Sequence, residues 1–266
     1  MLALETGDTV DHPALASRLR EAYSSGAVPS LRDGLAPTDA DGAYAVQAIN
    51  TRYWEAAGRR IVGRKIGLTA KAVQAQLGVD QPDFGVLFGD MQVADDGTID
   101  AAAMLQPKAE AEIALILGTD LDALDANAAA VAQAVAAVVP AIEIVDSRIA
   151  DWKITFADTV ADNGSSAFFV LGEPRWPIDG LDLYSCGMVL ELNGQIASLG
   201  AGAACLGHPL EAAAWLARTL AARGDPLRKG DIVLTGALGP MVPIKAGDHI
   251  RATIGGIGAC SFSVTS

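Results

Sequence analysis

The sequence predicts an α+β fold with a mixed or antiparallel sheet and a small helical region at its N-terminus. Three observations support this prediction. Helical patterns fill about the first sixty residues. Beyond them, strand-like runs outnumber helices and do not alternate with them regularly, unlike a doubly wound parallel sheet. The dipeptide Asn193-Gly194 separates two apolar runs, which is a strong hairpin signal and indicates antiparallel pairing.

Two helices are predicted in the N-terminal region. Asp11 is placed to cap a helix with a proline in its first turn, and this helix runs to about Tyr23. Thr38 followed by Asp41 resembles a capping box, so a second helix is expected to run through about Ala57. A glycine follows shortly after each predicted helix, which favours termination there.

After residue 60 the pattern changes to short apolar runs separated by turns. In chain order we predict a helix at 71–77, a turn-rich loop at 78–90, a strand at 107–117, a helix at 126–139, strands at 141–147 and 166–171, a hairpin of 188–192 with 195–198, a helix at 209–222, and strands at 232–235, 249–254 and 259–264. The helix at 126–139 is expected to stop before Pro140, because proline interrupts helical hydrogen bonding.

The length of 266 residues predicts one large folded unit with a small appendage. We expect residues 1–60 to form the helical N-terminal region and residues 61–266 to form one structural unit that carries the site. A chain of this size buries about 70–75% of its unfolded surface, so it needs neither a disulfide nor a structural metal for stability.

The charge balance excludes some classes of partner. The chain has 19 Lys and Arg against 32 Asp and Glu, which gives a net charge of −13. Affinity for nucleic acid or for anionic membranes comes from basic residues that neutralise phosphates, so neither is an expected partner. An acidic chain does suit the binding of cations.

The cysteine pattern and the apolar segments predict a cytoplasmic protein. The three cysteines, Cys186, Cys205 and Cys260, are odd in number and widely spaced, so they form no disulfide framework and suit a reducing compartment. Residues 1–5 lack the basic and apolar features of a signal peptide. The uncharged run at 126–142 is too short and too weakly apolar to span a bilayer.

The predicted strand at 107–117 places two carboxylates on one face. Side chains alternate along a strand, so Glu110 and Glu112 lie on the same side, about 6.7 Å apart. Apolar residues follow them on that side, and two like charges beside an apolar patch repel each other unless a cation lies between them. Oxygen-only ligands suit Mg²⁺ or Mn²⁺. The alternative is a strand whose end emerges into solvent.

Three further charged residues are candidates for the same site. Glu143 lies between isoleucines in a predicted strand, and a buried glutamate is unfavourable unless it is paired or ligated. Lys65 interrupts an apolar run, where partial burial would lower its pKa, although an ordinary surface lysine is the simpler interpretation. Asp83 lies in a turn-rich loop and is either an acid or base in catalysis or a turn-former.

Seven stretches resemble one known family, the 2-hydroxypenta-2,4-dienoate (2-keto-4-pentenoate) hydratases of the fumarylacetoacetate hydrolase superfamily. They occur in order from about residue 60 onward: 63–69 (GRKIGLT), 77–85 (LGVDQPDFG), 107–113 (PKAEAEI), 140–148 (PAIEIVDSR), 158–166 (DTVADNGSS), 205–216 (CLGHPLEAAAWL) and 230–242 (GDIVLTGALGPMV). The resemblance implies a mixed β-sandwich roll and a divalent metal, Mg²⁺ or Mn²⁺. The implied metal ligands are Glu110, Glu112 and Glu143, and the implied catalytic residues are Lys65 and Asp83.

The resemblance also has implications for the substrate and for assembly. It implies that Ser166 and Thr235 bind a small 2-hydroxy-dienoate or 2-oxo acid substrate. It further implies a homo-oligomer, a pentamer or decamer, and allows a complex with the pathway decarboxylase or aldolase.

The activity implied is the addition of water to 2-hydroxypenta-2,4-dienoate, giving 4-hydroxy-2-oxopentanoate in the meta-cleavage pathway of aromatic catabolism. A 4-oxalocrotonate decarboxylase of the same family, or a non-catalytic scaffold partner of it, is the alternative. Arg64 and the segments 81–85 and 235–241 follow the hydratase form. A carbon–carbon hydrolase would need a water-activating histidine, and none of the three histidines lies in a matching motif.

Overall fold

The computed structural model describes residues 10–266. Residues 1–5, on which the prediction of no signal peptide rests, lie outside the described residues. Within residues 10–266 every helix is too short or too polar to cross a bilayer. The helices are α1 His12–Ser25, α2 Ala40–Ala56, α3 Lys71–Leu77, α4 Ala128–Ala134, α5 Phe156–Ala161 and α6 Pro209–Ala222.

The strands form two sheets, and their bounds are as follows. They are β1 Ile61–Gly67, β2 Asp83–Phe88, β3 Gln92–Val93, β4 Gly97–Asp100, β5 Lys108–Leu117, β6 Val135–Val145, β7 Ser166–Leu171, β8 Gly187–Leu192, β9 Gln195–Ala201, β10 Ile232–Ala237, β11 Val242–Pro243, β12 His249–Ile254 and β13 Gly258–Thr265. The larger sheet has the order β2-β1-β10-β5-β6-β7-β3, with β11 paired to the start of β5. The smaller sheet has the order β4-β13-β12-β8-β9.

The sheets are mixed, as the sequence predicts. Three strand pairs are parallel, namely β1 with β10, β3 with β7 and β4 with β13, and the other pairs are antiparallel. The hairpin of β8 and β9 turns at Asn193 and Gly194, whose φ angles of 55° and 75° match the turn that such hairpins prefer. The predicted α+β class is therefore confirmed.

The larger sheet has an apolar cluster on each face. Ile113 and Ile142 belong to the main core, which also contains Phe262 of the smaller sheet. Ala114 and Phe169 belong to a second cluster with residues of β2 and β10. Because strand side chains alternate, Glu110 and Glu112 share the face of this second cluster. The carboxylates thus lie on the face turned away from the smaller sheet.

One side chain links β2, at one edge of the larger sheet, to the turn that precedes β7. The side chain of Asn163, in the turn before β7, accepts a hydrogen bond from the Val86 N–H at 2.7 Å and donates one to the Val86 carbonyl at 2.9 Å. Asn163 therefore pairs with β2 much as a neighbouring strand would. The sheet curls into a roll, and its second apolar cluster becomes the interior of that roll.

The predicted helix starts are mostly confirmed. Asp11 caps α1, and its carboxylate accepts a hydrogen bond from the Ala14 N–H. The cap of α2 is Asp39, which accepts from the Gly42 N–H, so the prediction of Thr38 was wrong by one residue. Both aspartates lie three residues before a free helical N–H, which is the geometry that a capping carboxylate needs.

The region around Pro140 differs from the prediction. The helix ends at Ala134, and β6 continues through Pro140. The Pro140 carbonyl accepts a hydrogen bond from the Gly172 N–H at 2.8 Å. The carbonyl and the N–H of a strand residue point to the same side, so the missing N–H of Pro140 is on the side of β7 and not of β5. Pairing between β6 and β7 begins only at the next residue, Ala141. The missing N–H of Pro140 therefore leaves the ladder with β5 intact, and the strand tolerates it.

The predicted loop at 78–90 contains a strand. β2 pairs antiparallel with β1, and all six of its residues are buried. A strand that is buried on both faces shows no alternation, and Pro82 and Gly85 strengthen the turn signal in this segment. The loop prediction was wrong for these reasons.

Asp158 connects the N-terminal region to the rest of the fold. Its buried carboxylate accepts hydrogen bonds from the Leu31 N–H at 2.7 Å, the Ser30 hydroxyl at 2.7 Å and the Thr155 N–H at 2.8 Å. Since Ser30 and Leu31 follow α1, one side chain ties the segment between α1 and α2 to the start of α5.

We predict that Asp158→Ala lowers the free energy of unfolding by about 2–5 kcal/mol, because it leaves buried N–H groups without an acceptor. Urea unfolding followed by circular dichroism measures this loss. The exposed cap variant Asp11→Ala is the control, with an expected loss of about 1 kcal/mol. Equal losses in the two variants would contradict the role assigned to Asp158.

Candidate metal centre and active site

Strand pairing brings three glutamates together. Glu110 of β5 is the direct cross-strand partner of Glu143 of β6, and Glu112 lies two residues further along β5. One carboxylate oxygen from each residue lies within 4.8 Å of the other two. The three residues that the sequence singles out as metal ligands therefore form one cluster, called here the carboxylate cluster.

The hydrogen bonding of the carboxylate cluster fits a cation. Glu112 and Glu143 are fully buried, whereas Glu110 keeps some exposure. Glu112 accepts one hydrogen bond, from the Gly236 N–H at 2.8 Å, and its other oxygen has no hydrogen-bond donor. Neither oxygen of Glu143 accepts a hydrogen bond. Buried carboxylate oxygens without donors are unfavourable unless something else compensates them, and hard divalent cations prefer such ligands.

The raised pKa values of two of the glutamates also favour a bound cation. Burial, followed by the charge of Glu143, raises the pKa of Glu110 to about 7. The same two causes raise the pKa of Glu112 well above its usual value. Burial and mutual repulsion therefore make it costly to ionise both glutamates together, a cost that a bound cation would offset.

Lys65 lies beside the carboxylate cluster. It is 2% exposed, which contradicts the interpretation as a surface lysine. Its ammonium lies 3.3 Å from a Glu143 carboxylate oxygen. Burial alone would lower the pKa of Lys65, as the sequence suggests, but the charges of Glu143, Asp83 and the other two glutamates outweigh burial and raise it. The prediction of a lowered pKa was therefore wrong.

Asp83 is the first residue of β2 and is 1% exposed, so it does not act as a turn-former. One of its oxygens lies 3.4 Å from the Thr159 hydroxyl and the other accepts no side-chain hydrogen bond. Burial raises the pKa of Asp83, although Lys65 opposes this effect. Gly67, its partner on β1, allows the close approach, because a Cβ there would overlap the Asp83 carboxylate.

The two predicted substrate-binding residues lie in different surroundings. Thr235 is buried on β10, where its hydroxyl donates to the Ile113 carbonyl at 2.9 Å. Ser166 begins β7, opposite Val145, and its buried hydroxyl has no hydrogen-bond partner. Ser166 also lines a cavity of about 210 Å³ between β7 and the N-terminal helices. Neither hydroxyl hydrogen-bonds to the carboxylate cluster, and their role in substrate binding stays a prediction.

A buried ion pair that holds the start of β7 was not predicted. Arg148 is 1% exposed, and its guanidinium lies 2.6 Å from the Asp162 carboxylate. The guanidinium also donates to the backbone carbonyls of Asp146, Asp162 and Ser166. Both residues fall within stretches that resemble the hydratases, but no periodicity in the sequence marks an arginine as buried.

The curled mixed sheet with the carboxylate cluster on its inner face defines the fold as fumarylacetoacetate hydrolase-like. The chain belongs to the fumarylacetoacetate (FAA) hydrolase family, whose C-terminal model matches residues 60–265.

Named relatives are similar over nearly the full chain. A "2-keto-4-pentenoate hydratase 1" of Dechloromonas aromatica is 55% identical over 249 residues, covering 93% of this chain and 95% of the relative. A "2-keto-4-pentenoate hydratase" of Burkholderia vietnamiensis is 53% identical, covering 95% and 97%. The structure of the 4-oxalocrotonate decarboxylase from Pseudomonas putida G7, complexed with magnesium and adipate, superposes with a TM-score of 0.91. That enzyme is 36% identical, with 95% and 97% of the two chains covered.

Metal affinity is expected to rise with pH. Glu110 and Glu112 both have raised pKa values in the folded chain, so the stability contributed by their protonated forms is lost as the pH rises, for Glu110 through about 7, and the ionised carboxylates then become available to a cation. The Glu110 proton alone, with a pKa of about 7, predicts a gain in apparent affinity of about fivefold between pH 6 and pH 7. Isothermal titration with Mn²⁺ in buffers of different ionisation enthalpy measures both the affinity and the protons released.

Glu110→Gln provides the matched comparison. It removes one ligand and also one titrating group, so it should bind Mn²⁺ more weakly at pH 8 and show a shallower pH dependence. An affinity of the unaltered chain that stays constant from pH 6 to pH 8 would contradict this account of the cluster.

Proposed function

We propose that this chain is a metal-dependent hydratase that adds water to 2-hydroxypenta-2,4-dienoate (2-oxopent-4-enoate) and forms 4-hydroxy-2-oxopentanoate. The observation that carries the proposal is the carboxylate cluster with its neighbouring Lys65, in a chain that is 53–55% identical to named 2-keto-4-pentenoate hydratases. The pathway is meta-cleavage of aromatic compounds, in which this dienoate is an intermediate.

We propose that Glu110, Glu112 and Glu143 hold the divalent metal, as Mg²⁺ or Mn²⁺. Their oxygens are close together, buried and largely without donors, and oxygen-only ligands suit these two ions. The related decarboxylase was crystallised with magnesium, which supports this choice. When bound, the metal supplies positive charge for the substrate's carboxylate and 2-oxygen, which favours loss of the 2-hydroxyl proton and charge on that oxygen.

The reaction requires several proton movements. The 2-hydroxyl loses a proton and C5 gains one, which converts the dienol into a 2-oxo-3-enoate. Water then adds its oxygen to C4 while C3 receives a proton, so one water is consumed in total. We propose that Lys65 and Asp83 carry these protons. Both are buried, Lys65 Nζ lies 3.3 Å from a Glu143 carboxylate oxygen, and Nζ and the Asp83 carboxylate both lie close to Gly67.

Burial also serves the chemistry. Lys65 and Asp83 are shielded from bulk water, so the charges act on one another and on a bound substrate in a medium of low dielectric constant. The neighbouring carboxylates raise the pKa of Lys65, which keeps its ammonium charged, and burial raises the pKa of Asp83, which makes this carboxylate a stronger base.

Assembly and compartment are part of the proposal. We propose a homo-oligomer, a pentamer or decamer, and a complex with the pathway decarboxylase or aldolase in the cytoplasm. Exposed Ile196 and Leu199 on the edge strand β9 support contact with another chain. The three buried, unpaired cysteines support a reducing compartment. Residues 61–266 are the proposed catalytic unit, since every proposed site residue lies there.

The assay that tests the function follows the absorbance of freshly generated 2-hydroxypenta-2,4-dienoate, with Mg²⁺ or Mn²⁺ and after exhaustive chelation. We predict metal-dependent loss of the dienol and formation of 4-hydroxy-2-oxopentanoate, identified by NMR. Glu112→Gln should abolish this turnover and leave the fold intact. Lys65→Met should lower kcat by about 10²–10⁴-fold, because it removes a proton carrier.

Glu55→Gln is the matched control, because Glu55 is an exposed carboxylate on α2. It should keep the activity of the unaltered chain. Full activity of Glu112→Gln, or of the chelated enzyme, would contradict the proposal. Release of CO₂ from 4-oxalocrotonate without hydration of the dienoate would identify a decarboxylase instead, and no turnover of either compound would favour the scaffold role.

A further inference from the structure

A turn of unusual backbone conformation lies against Lys65. Asn163, Gly164 and Ser165 have φ angles of 57°, 61° and 56°, so three consecutive residues adopt the left-handed conformation. This conformation is unfavourable for residues with a Cβ, and two of the three carry one. Such strain persists only where the surroundings enforce it, and it is frequent at functional sites.

The turn is anchored at both ends. On one side the buried Arg148 binds the Asp162 carboxylate and donates to the carbonyls of Asp162 and Ser166, the residues that flank the turn. On the other side the Asn163 amide forms two hydrogen bonds with Val86 of β2. These anchors hold the left-handed backbone in place.

Gly164 is the point of contact with Lys65. A Cβ added at this position would overlap the Lys65 Cε atom, stand 3.0 Å from Nζ and lie 3.5 Å from Cδ. Gly164 is itself buried, and the surroundings of the lysine leave the side chain little room to move away. The lysine stem therefore rests directly on the backbone of the turn.

We propose that the turn Asn163–Ser165 positions Lys65 for proton transfer, and that Gly164 is a positioning residue that acts through this lysine. The turn restricts the position of the Lys65 ammonium from one side, and the Glu143 carboxylate, 3.3 Å away, restricts it from another. The inference rests on the proposed hydratase function for its kinetic consequence, but the contact between Gly164 and Lys65 is testable without any activity.

The kinetic test compares Gly164→Ala with Gly194→Ala. Gly194 has a φ of 75° in the β8–β9 hairpin and no atom within 4 Å of an added Cβ, so it carries the backbone strain without the contact. We expect Gly164→Ala to lower kcat by about 10–100-fold, because misplacing a reacting group by about 1 Å has effects of this size. Affinity for Mn²⁺ should stay within about threefold, since the three glutamates are untouched. A kcat within twofold of the control would overturn the proposal.

A double-mutant cycle tests the contact itself. In a Lys65→Ala background, an added Cβ at position 164 has no lysine stem to displace. Gly164→Ala should therefore lower Tm more in the unaltered chain than in the Lys65→Ala chain, where the loss should match that of Gly194→Ala, roughly 2–8 °C. If Gly164→Ala does not fold, folding should return in the Lys65→Ala background, and failure to return would overturn the proposal.

The two measurements also separate this inference from the proposed function. If the unaltered chain lacks hydratase activity, the cycle still decides whether Gly164 positions Lys65. Additive losses of Tm, with no coupling between positions 164 and 65, would show that the turn does not determine where the lysine lies.

Discussion

The burial of several carboxylates around a single ammonium is the constraint on which the rest of the site depends. Glu112, Glu143 and Asp83 are almost fully buried, and Lys65, whose ammonium lies 3.3 Å from Glu143, is the buried cation beside them. One ammonium leaves the cluster with excess negative charge, so it must take up protons or bind a cation. The backbone already contributes one donor, the Gly236 N–H, which the irregular pairing between β10 and β5 directs toward Glu112. The remaining free oxygens are what a divalent ion would satisfy.

The sequence could predict those parts of the site that follow from the alternation of side chains along a single strand. Alternation along β5 places Glu110 and Glu112 on one face, because the period of a strand is two. The sequence also marks Glu143 as a carboxylate among apolar residues. It does not contain the pairing of Glu110 with Glu143, since register is set by how whole strands pack. The burial of Lys65 is likewise a result of tertiary packing, and it reverses the pKa shift expected from the residue alone.

The errors in the fold prediction share a cause. Rules for proline and for turn residues describe a typical environment, and they fail where pairing is interrupted or where both faces are buried. Pro140 continues β6 because the side that lacks an N–H faces β7, and the pairing of β6 with β7 begins only at the next residue. β2 was predicted as a loop because it is buried on both faces and begins just after Pro82. The starts of the helices were predicted to within about two residues, since capping depends on only a few neighbouring residues, whereas the end of the helix before β6 was placed five residues too late.

The room for a buried lysine is made by glycine, which explains why the surroundings of Lys65 give so weak a signal in the sequence. Its neighbours on the same face of β1 are Gly63 and Gly67, and its partner on β2 is Gly85. Gly164 then covers the stem from the turn before β7. Gly67 and Gly164 leave space for the ammonium and the stem of Lys65, whereas Gly63 and Gly85 let the backbones of Ile232 and Asn163 come close. Patterns of hydrophobicity report which side chains are buried. This arrangement depends instead on close approaches between backbone segments, which such patterns do not report.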